Sequence, residues 1–310
     1  MDFWTGADPV RRADLLAAGV SGVEIRRALA DRELIRLRRG VYLPAGPDGN
    51  VPAVTERAAR HAVAVRGALC RLEPSVVVSH VSAAVLHGLD PWGIPLRRVH
   101  VTRARRTGGR VGADLHLHSA ALEPDEIEVL DGVSVTSVPR TVADLARTVP
   151  FDRAVAVADA ALRLPGVTPE DLCRAVGRGR RRPGNAAAER VIRFADGRSE
   201  SAGESRSRVT IHRIGLPTPD LQRDVHDADG EWLARVDFWW DGDPPVVGEF
   251  DGEVKYGRML RPGQSPGEVV FEEKRREDAL RREGLGVARW TWSEIDDFAT
   301  TAAHLRRLLD

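Results

Sequence analysis

At 310 residues the chain is long for one core, so two or three domains are expected. Its 46 basic residues balance 46 acidic ones, which excludes a chain drawn to nucleic acid by its global field; any such binding must come from local arginine patches. No apolar run reaches membrane length, charges at Asp2, Asp8, Arg11 and Arg12 argue against a signal peptide, and Cys70 and Cys173 lie far apart, so a reduced, cytoplasmic protein without a membrane partner or a metal–thiolate site is expected.

Residues 1–46 read as a small helix-turn-helix with a wing. Asp8-Pro9 is a helix start, Gly19 a stop, and Ser21-Gly22-Val23-Glu24 a capping box. The helix it opens is expected to turn Val23, Ile25, Ala28 and Leu29 inward and Arg26 and Arg27 outward. Leu34 to Leu37 and Val41 to Leu43 alternate around Arg38-Arg39-Gly40, a hairpin with a basic tip. With Arg36, these arginines are candidates for phosphate contacts. The competing reading is a packing module with a solvated charged turn.

A linker follows at Pro44 to Asn50, and a second module spans about 51–180. Its pattern is a helix over Thr55 to Leu72, Val76-Val77-Val78, a helix from His80 ended by Gly88, and strands at Val99 to Thr102 and Leu115 to Ser119. A turn at Thr136 to Pro139 then feeds a helix through Ala146, and another helix covers Val155 to Leu164. His116 and His118 share a strand face, but the sequence offers no third ligand beside them, so a solvated strand is expected. Arg178 to Asn185 is a basic linker in which Arg180, Arg181 and Arg182 are candidates to grip phosphates.

The segment ending Arg39-Gly40-Val41-Tyr42, the run His80 to Leu89 and Arg140-Thr141-Val142-Ala143-Asp144-Leu145 together resemble the AbiEi family of abortive-infection antitoxins over the first half of the chain. That resemblance implies a DNA-binding winged helix, a middle domain and a cognate toxin or defence-system protein as partner. The short N-terminal region departs from it, lacking room for the usual first helix.

From Ser199 the pattern is helix, three strands, helix, strand, helix. Ser199 or Ser201 caps a helix holding Glu204. Strands at Leu221 to His226 and Glu231 to Trp240 flank the turn Asp227-Ala228-Asp229-Gly230, and Val246 to Asp251 is the third. A helix over Glu268 to Glu283, a strand over Val287 to Trp292 and a last helix capped by Ser293 complete it. Asp237 sits in an apolar strand, and Glu249 and Asp251 share a face of the next. Adjacent carboxylates in an apolar sheet repel unless a cation joins them, and oxygen ligands suit Mg²⁺ or Mn²⁺. The chain has only two lysines, Lys255 and Lys274, and both lie in this region. A site needing a compact, titratable ammonium does not tolerate arginine.

Residues 199–310, with Glu204, Arg235-Val236-Asp237-Phe238, Glu249-Phe250-Asp251-Gly252 and Arg289-Trp290-Thr291-Trp292, resemble the PD-(D/E)XK nuclease fold. More narrowly they are similar to the domain related to very-short-patch-repair endonucleases. The implied fold class is therefore α/β (α+β): a winged helix-turn-helix, a mixed middle domain and a restriction-endonuclease-like αβββαβ domain. The implied activity is a Mg²⁺-dependent DNA endonuclease or nickase, in phage defence or DNA repair. Asp237, Glu249 and Glu204 would bind metal, and Asp237, Glu249, Asp251, Lys255 and Lys274 form the catalytic set. Asp251 occupies the usual lysine slot, which leaves Lys255 or Lys274 to supply the ammonium. The alternative is a non-catalytic AbiEi-like regulator with a degenerate nuclease domain.

Overall fold

The computed structural model describes residues 10–31, 33–38, 40–44, 57–105, 107–252, 275 and 278–310. It is an α+β protein that divides into two units. The first comprises residues 1–150 and 167–190, the second 151–166 and 191–310.

In the first unit, β1 (Val10–Arg11), β2 (Leu34–Arg38) and β3 (Val41–Pro44) form an antiparallel sheet in the order β1-β3-β2. Helices α1 (Arg12–Ala17) and α2 (Gly22–Ala30) accompany it. The expected capping box is present: Glu24 N donates to Ser21 Oγ at 3.2 Å, and Ser21 N to Glu24 Oε2 at 2.7 Å. A small core forms from Leu15, Val20, Ile25, Ala28, Leu34 and Tyr42. Val23 departs from expectation, being 64% exposed. It lies two positions before Ile25, about 200° around a helix, so it faces away from the core.

A six-stranded sheet follows, built from β4 (Val76–Val78), β5 (Val99–Arg103), β6 (Arg110–Val111), β7 (Leu115–Ser119), β8 (Ile127–Leu130) and β9 (Val133–Thr136), ordered β6-β7-β5-β4-β9-β8. The pairs β5/β7 and β4/β9 are parallel and the other pairs antiparallel. Asp131 and Gly132 both take positive φ in the β8–β9 turn, the geometry of a two-residue hairpin. Val65 of α3 (Arg57–Leu69) and Ala83 of α4 (His80–Leu86) pack with Val78, Val99, Val101 and Val135. Burial of each of these valines contributes about 1.5–3 kcal/mol. Arg140 and Asp144 stand one helical turn apart on α5 (Val138–Thr148) and pair at 2.9 Å, both buried. Next to α5 packs α7 (Pro169–Arg178), opened by a Thr168/Asp171 capping box.

In the second unit, α6 (Phe151–Leu162) packs on α9 (Ala202–Arg213); between them in sequence, α8 (Asn185–Phe194) crosses the boundary between units. Asp159 of α6 accepts Arg208 Nη1 and Asp196 N, each at 2.8 Å, which ties residues 151–166 to this unit. A four-stranded sheet holds β10 (Asp220–His226), β11 (Trp232–Trp240), β12 (Val246–Asp251) and β13 (Gly286–Thr291) in that order. The pair β12/β13 is parallel and the others antiparallel. One face is packed by Ile211, Leu221, Phe238, Trp240, Trp290 and Leu305. The other is packed by Val225, Val236, Trp239, Val247, Leu280 and Val287. Gly248 must be small, because a Cβ there would lie 2.6 Å from the Trp290 ring. Two helices end the chain, α10 (Trp292–Asp296) and α11 (Ala299–Leu309). Thr291 rather than Ser293 caps α10, so Trp292 lies in the helix and not in the strand. Among the described residues no helix is long and apolar enough to cross a membrane.

Candidate metal-binding carboxylate site

Ser201 opens α9, its Oγ accepting Glu204 N at 3.1 Å. This places Glu204 in the first turn, where a carboxylate is favoured by the helix dipole. Gly203 lets the helix approach β12, since a Cβ there would overlap the Phe250 ring. Glu204 is buried and almost fully engaged: Oε1 accepts Ser201 Oγ at 2.7 Å, and Oε2 accepts Glu200 N at 2.8 Å and Gln222 Nε2 at 3.0 Å.

Gln222 Nε2 also donates to Asp237 Oδ1 at 3.2 Å. One amide nitrogen therefore stands between two carboxylates from different elements. The other Asp237 oxygen accepts Phe250 N at 2.9 Å, fastening β11 to β12 through a side chain. The local backbone explains the arrangement. Residues two apart on a regular strand share a face, yet Val236 packs in one core and Phe238 in the other. The faces swap at Asp237. Across the ladder the same swap occurs between Leu221 and Val225, where Gln222 takes φ +54°. Such a conformation is costly for a residue with a side chain, on the order of 1–3 kcal/mol, and clusters at functional sites.

Glu249 is 6% exposed and forms an ion pair with Arg289. The two are register partners on the parallel strands β12 and β13. They project with Val247 and Val287 toward the Leu280 side of the sheet. Asp251 is exposed at the end of β12. The structure thus joins Glu204 to Asp237 through Gln222, and Glu249 to Arg289. Lys255 and Lys274 lie outside the described residues. Gln222 escapes sequence reading, as does the pairing of Arg289 with Glu249. Gln222 lies within an ordinary strand pattern and nothing in the residue type announces its φ, but Arg289 has a signal, a lone charge in the apolar run Val287 to Trp292.

Of the arginines expected to meet nucleic acid, Arg26, Arg27 and Arg36 are exposed, Arg27 lying 3.5 Å from Asp31. The Arg38 side chain and Arg39 lie outside the described residues. Arg180 and Arg181 are exposed, but Arg182 is turned inward: Nη2 donates to Ala121 O at 2.9 Å and Nη1 lies 3.7 Å from Asp144. The solvated-strand expectation for His116 and His118 is overturned. His80 and His100 stand beside them, brought by a helix start and a neighbouring strand distant in sequence.

No family model matches the sequence. Two curated proteins of Mycobacterium tuberculosis, the uncharacterized proteins MT2308 and Rv2248, are each 31% identical to it over 259 residues, spanning 79% of this chain and 88% of theirs. The chain belongs to the family of these two proteins. A crystal structure of the Rv2827c protein from the same organism is similar at a TM-score of 0.40 and 15% identity, covering 71% of this chain and 83% of that one.

Proposed function

We propose that the chain is a metal-dependent DNA endonuclease or nickase of the cytoplasm. In this reading it carries a winged-helix DNA-binding module, an AbiEi-like middle domain and a PD-(D/E)XK-type nuclease domain, and serves phage defence or DNA repair. The observation that supports it most directly is the convergence of Glu204 and Asp237 on Gln222 Nε2, at 3.0 and 3.2 Å. Two carboxylates so placed repel each other, and a cation between them relieves that repulsion. All-oxygen donors of this kind fit Mg²⁺ or Mn²⁺. Glu204 and Asp237 would hold the ion, with the Phe250 carbonyl as a further oxygen; Glu249 would join them only by turning from Arg289 and the Leu280 side of the sheet. When bound it supplies Lewis acidity toward a phosphodiester and lowers the pKa of a bound water. The residues' own part is to fix that position: Phe250 N and Ser201 Oγ orient the carboxylates before any substrate arrives.

Two features favour the alternative, a non-catalytic regulator binding nucleic acid or a cognate toxin. Glu249 has Arg289 as a cationic partner, and Asp251 stands in the slot where the PD-(D/E)XK pattern carries lysine. Cleavage of supercoiled plasmid in Mg²⁺ separates the two. The parent protein is expected to nick or cut. Lys255→Arg is expected to abolish this and Lys274→Arg to preserve it, because a guanidinium is broader and does not release a proton. Loss in Lys274→Arg alone moves the role to that lysine. An inactive parent leaves the regulator reading.

DNA affinity in either reading is expected to depend on the basic tip of the β2–β3 hairpin. Replacing Arg36, Arg38 and Arg39 by Ala should weaken binding across all sequences and reduce the salt slope by about one per lost phosphate contact. Titrations at several salt concentrations giving an unaltered slope would identify a packing module instead.

A further inference from the structure

The six-stranded sheet of the first unit carries a second cluster that the nuclease reading does not use. His116 and His118 are two apart on β7 and point to one face, with their register partners His100 and Thr102 on parallel β5. Val99, Val101, Leu115 and Leu117 pack the opposite face. His80 arrives from the first position of α4, with φ +52°. Its ring stacks on His118 at 3.7 Å between centroids, and His116 stacks on His118 at 3.8 Å. His118 is thus held between two imidazoles. His100 Nδ1 lies 3.0 Å from His118 Nε2. One nitrogen from each of His80, His100 and His118 lies within 4.8 Å of the others.

Four histidines gathered in this way need a reason. A lone pair of imidazoles satisfies itself by sharing one proton. A third with its nitrogen in the same small volume brings another lone pair or another N–H to that space. A metal ion takes all three lone pairs at once. Tetrahedral Zn²⁺ with bonds of about 2.0–2.1 Å sets its ligand nitrogens roughly 3.3 Å apart, a spacing near that observed, although the His80 and His118 rings, stacked at 13°, must turn out of their parallel arrangement to point both lone pairs at one ion. The surroundings also fit. His80 Nδ1 lies 3.0 Å from Ser79 Oγ, which in turn accepts Thr102 Oγ1 at 2.8 Å. That contact fixes the ring and leaves Nε2 for a metal, the outer support that metal-bound histidines usually have. Burial holds the imidazoles in the neutral, lone-pair form that metal requires: His80 is pushed down to about 4, His100 and His118 to about 3, with neighbouring histidines adding to the effect. Buried Asp144 contributes negative charge to the field at His80 and His118.

We propose that His80, His100 and His118 bind one transition-metal ion of the zinc class, with His116 stacked against His118 as a support and a fourth position open to solvent or another ligand. Imidazole donors select Zn²⁺, Co²⁺, Ni²⁺ or Cu²⁺ over the hard cations, so this site is chemically separate from the carboxylates of the second unit and stands whether or not they cleave DNA.

The test uses the full chain, stripped with a chelator, and metal alone. With Mg²⁺ in excess to fill any oxygen site, Zn²⁺ is titrated and counted by mass spectrometry, and Co²⁺ is added separately to read coordination from its visible spectrum. One Zn²⁺ per chain and a tetrahedral Co²⁺ spectrum are expected. His100→Gln and His118→Gln should each weaken Zn²⁺ binding at least 100-fold. His116→Gln should change it less, and Ser79→Ala should weaken it about tenfold. Should a variant fail to fold, the melting temperature of the parent decides: saturating Zn²⁺ should raise it by several degrees and Mg²⁺ should not. No stoichiometric uptake, no Zn²⁺-specific rise, or uptake unchanged in the folded His100 and His118 variants overturns the proposal.

Discussion

Replacing Arg140 by Met is expected to destabilise the first unit by about 3–5 kcal/mol, lowering its melting temperature by something on the order of 10 °C. Arg140 is 1% exposed. Its Nη1 donates to Glu126 Oε2 at 2.6 Å and to Ala121 O at 3.0 Å, and its Nε to Asp144 Oδ2 at 2.9 Å. Methionine fills much of the volume, so the loss comes chiefly from the two carboxylates left behind. They do not suffer equally. Asp144 keeps Arg147 at 2.7 Å, whereas the remaining ion-pair partner of Glu126 among the described residues is Arg178 at 4.0 Å. Adding Glu126→Gln to Arg140→Met should therefore restore part of the stability, while Glu126→Gln alone should destabilise. Thermal melts of the three variants supply the double-mutant cycle. A drop of only a degree or two in Arg140→Met would mean that water reaches these carboxylates, and that the network does not hold the helix to the loop.

The Arg140/Asp144 pair shows what the sequence makes legible. Two charges four apart in a helical apolar pattern announce an ion pair, and α5 forms as that pattern predicts. The same is true wherever the signal is local: the Ser21/Glu24 box, Gly88 and Gly215 at positive φ as helix stops, and Gly230 in the β10–β11 turn. Two further elements also carry local signals. Asp131-Gly132 between alternating apolar residues marks the β8–β9 hairpin. Thr168-Pro169-Glu170-Asp171 marks the start of α7, with an acidic residue at the capping-box position.

What the sequence does not disclose is pairing between distant segments. The six-stranded order β6-β7-β5-β4-β9-β8 brings β5 beside β7, and His80 at the start of α4 reaches both; only then do four histidines meet. Read singly, His80 looks like a helix-start residue and His100 like a strand residue among valines. The face swap at Gln222 and Asp237 is hidden for a different reason. Alternation predicts where a regular strand points its side chains, and Gln222 breaks it by a φ that its residue type does not forecast. The carboxylate strand itself was legible because Asp237 and Glu249 are charges in apolar strands. Of their present partners, Gln222 lies across the hairpin that Asp227–Gly230 announces, whereas Arg289 belongs to a strand that the sequence alone does not pair with β12.

Asp237→Asn is expected to reduce Mg²⁺-dependent cleavage about a thousandfold, equivalent to about 4 kcal/mol of transition-state stabilisation, while costing only about 1 kcal/mol of stability. The substitution keeps the shape of the side chain but removes one negative charge and turns one acceptor into a donor. In the parent both oxygens accept, one from Phe250 N and the other from Gln222 Nε2. If the asparagine oxygen stays on Phe250 N, its amide nitrogen faces the Gln222 amide nitrogen. Gln222 must then flip, which presents its oxygen to Glu204 Oε2 in place of a donor. One isosteric change therefore frustrates three side chains that now agree, and leaves Glu204 to hold a cation with half of the paired charge gone. Single-turnover cleavage and thermal melts of the same preparation separate the two effects. A folded Asp237→Asn protein that cuts DNA at the parent's rate would show that the chemistry does not depend on this carboxylate. A loss of cleavage matched by loss of the fold would make Asp237 a strap between β11 and β12, holding the Phe250 backbone rather than an ion.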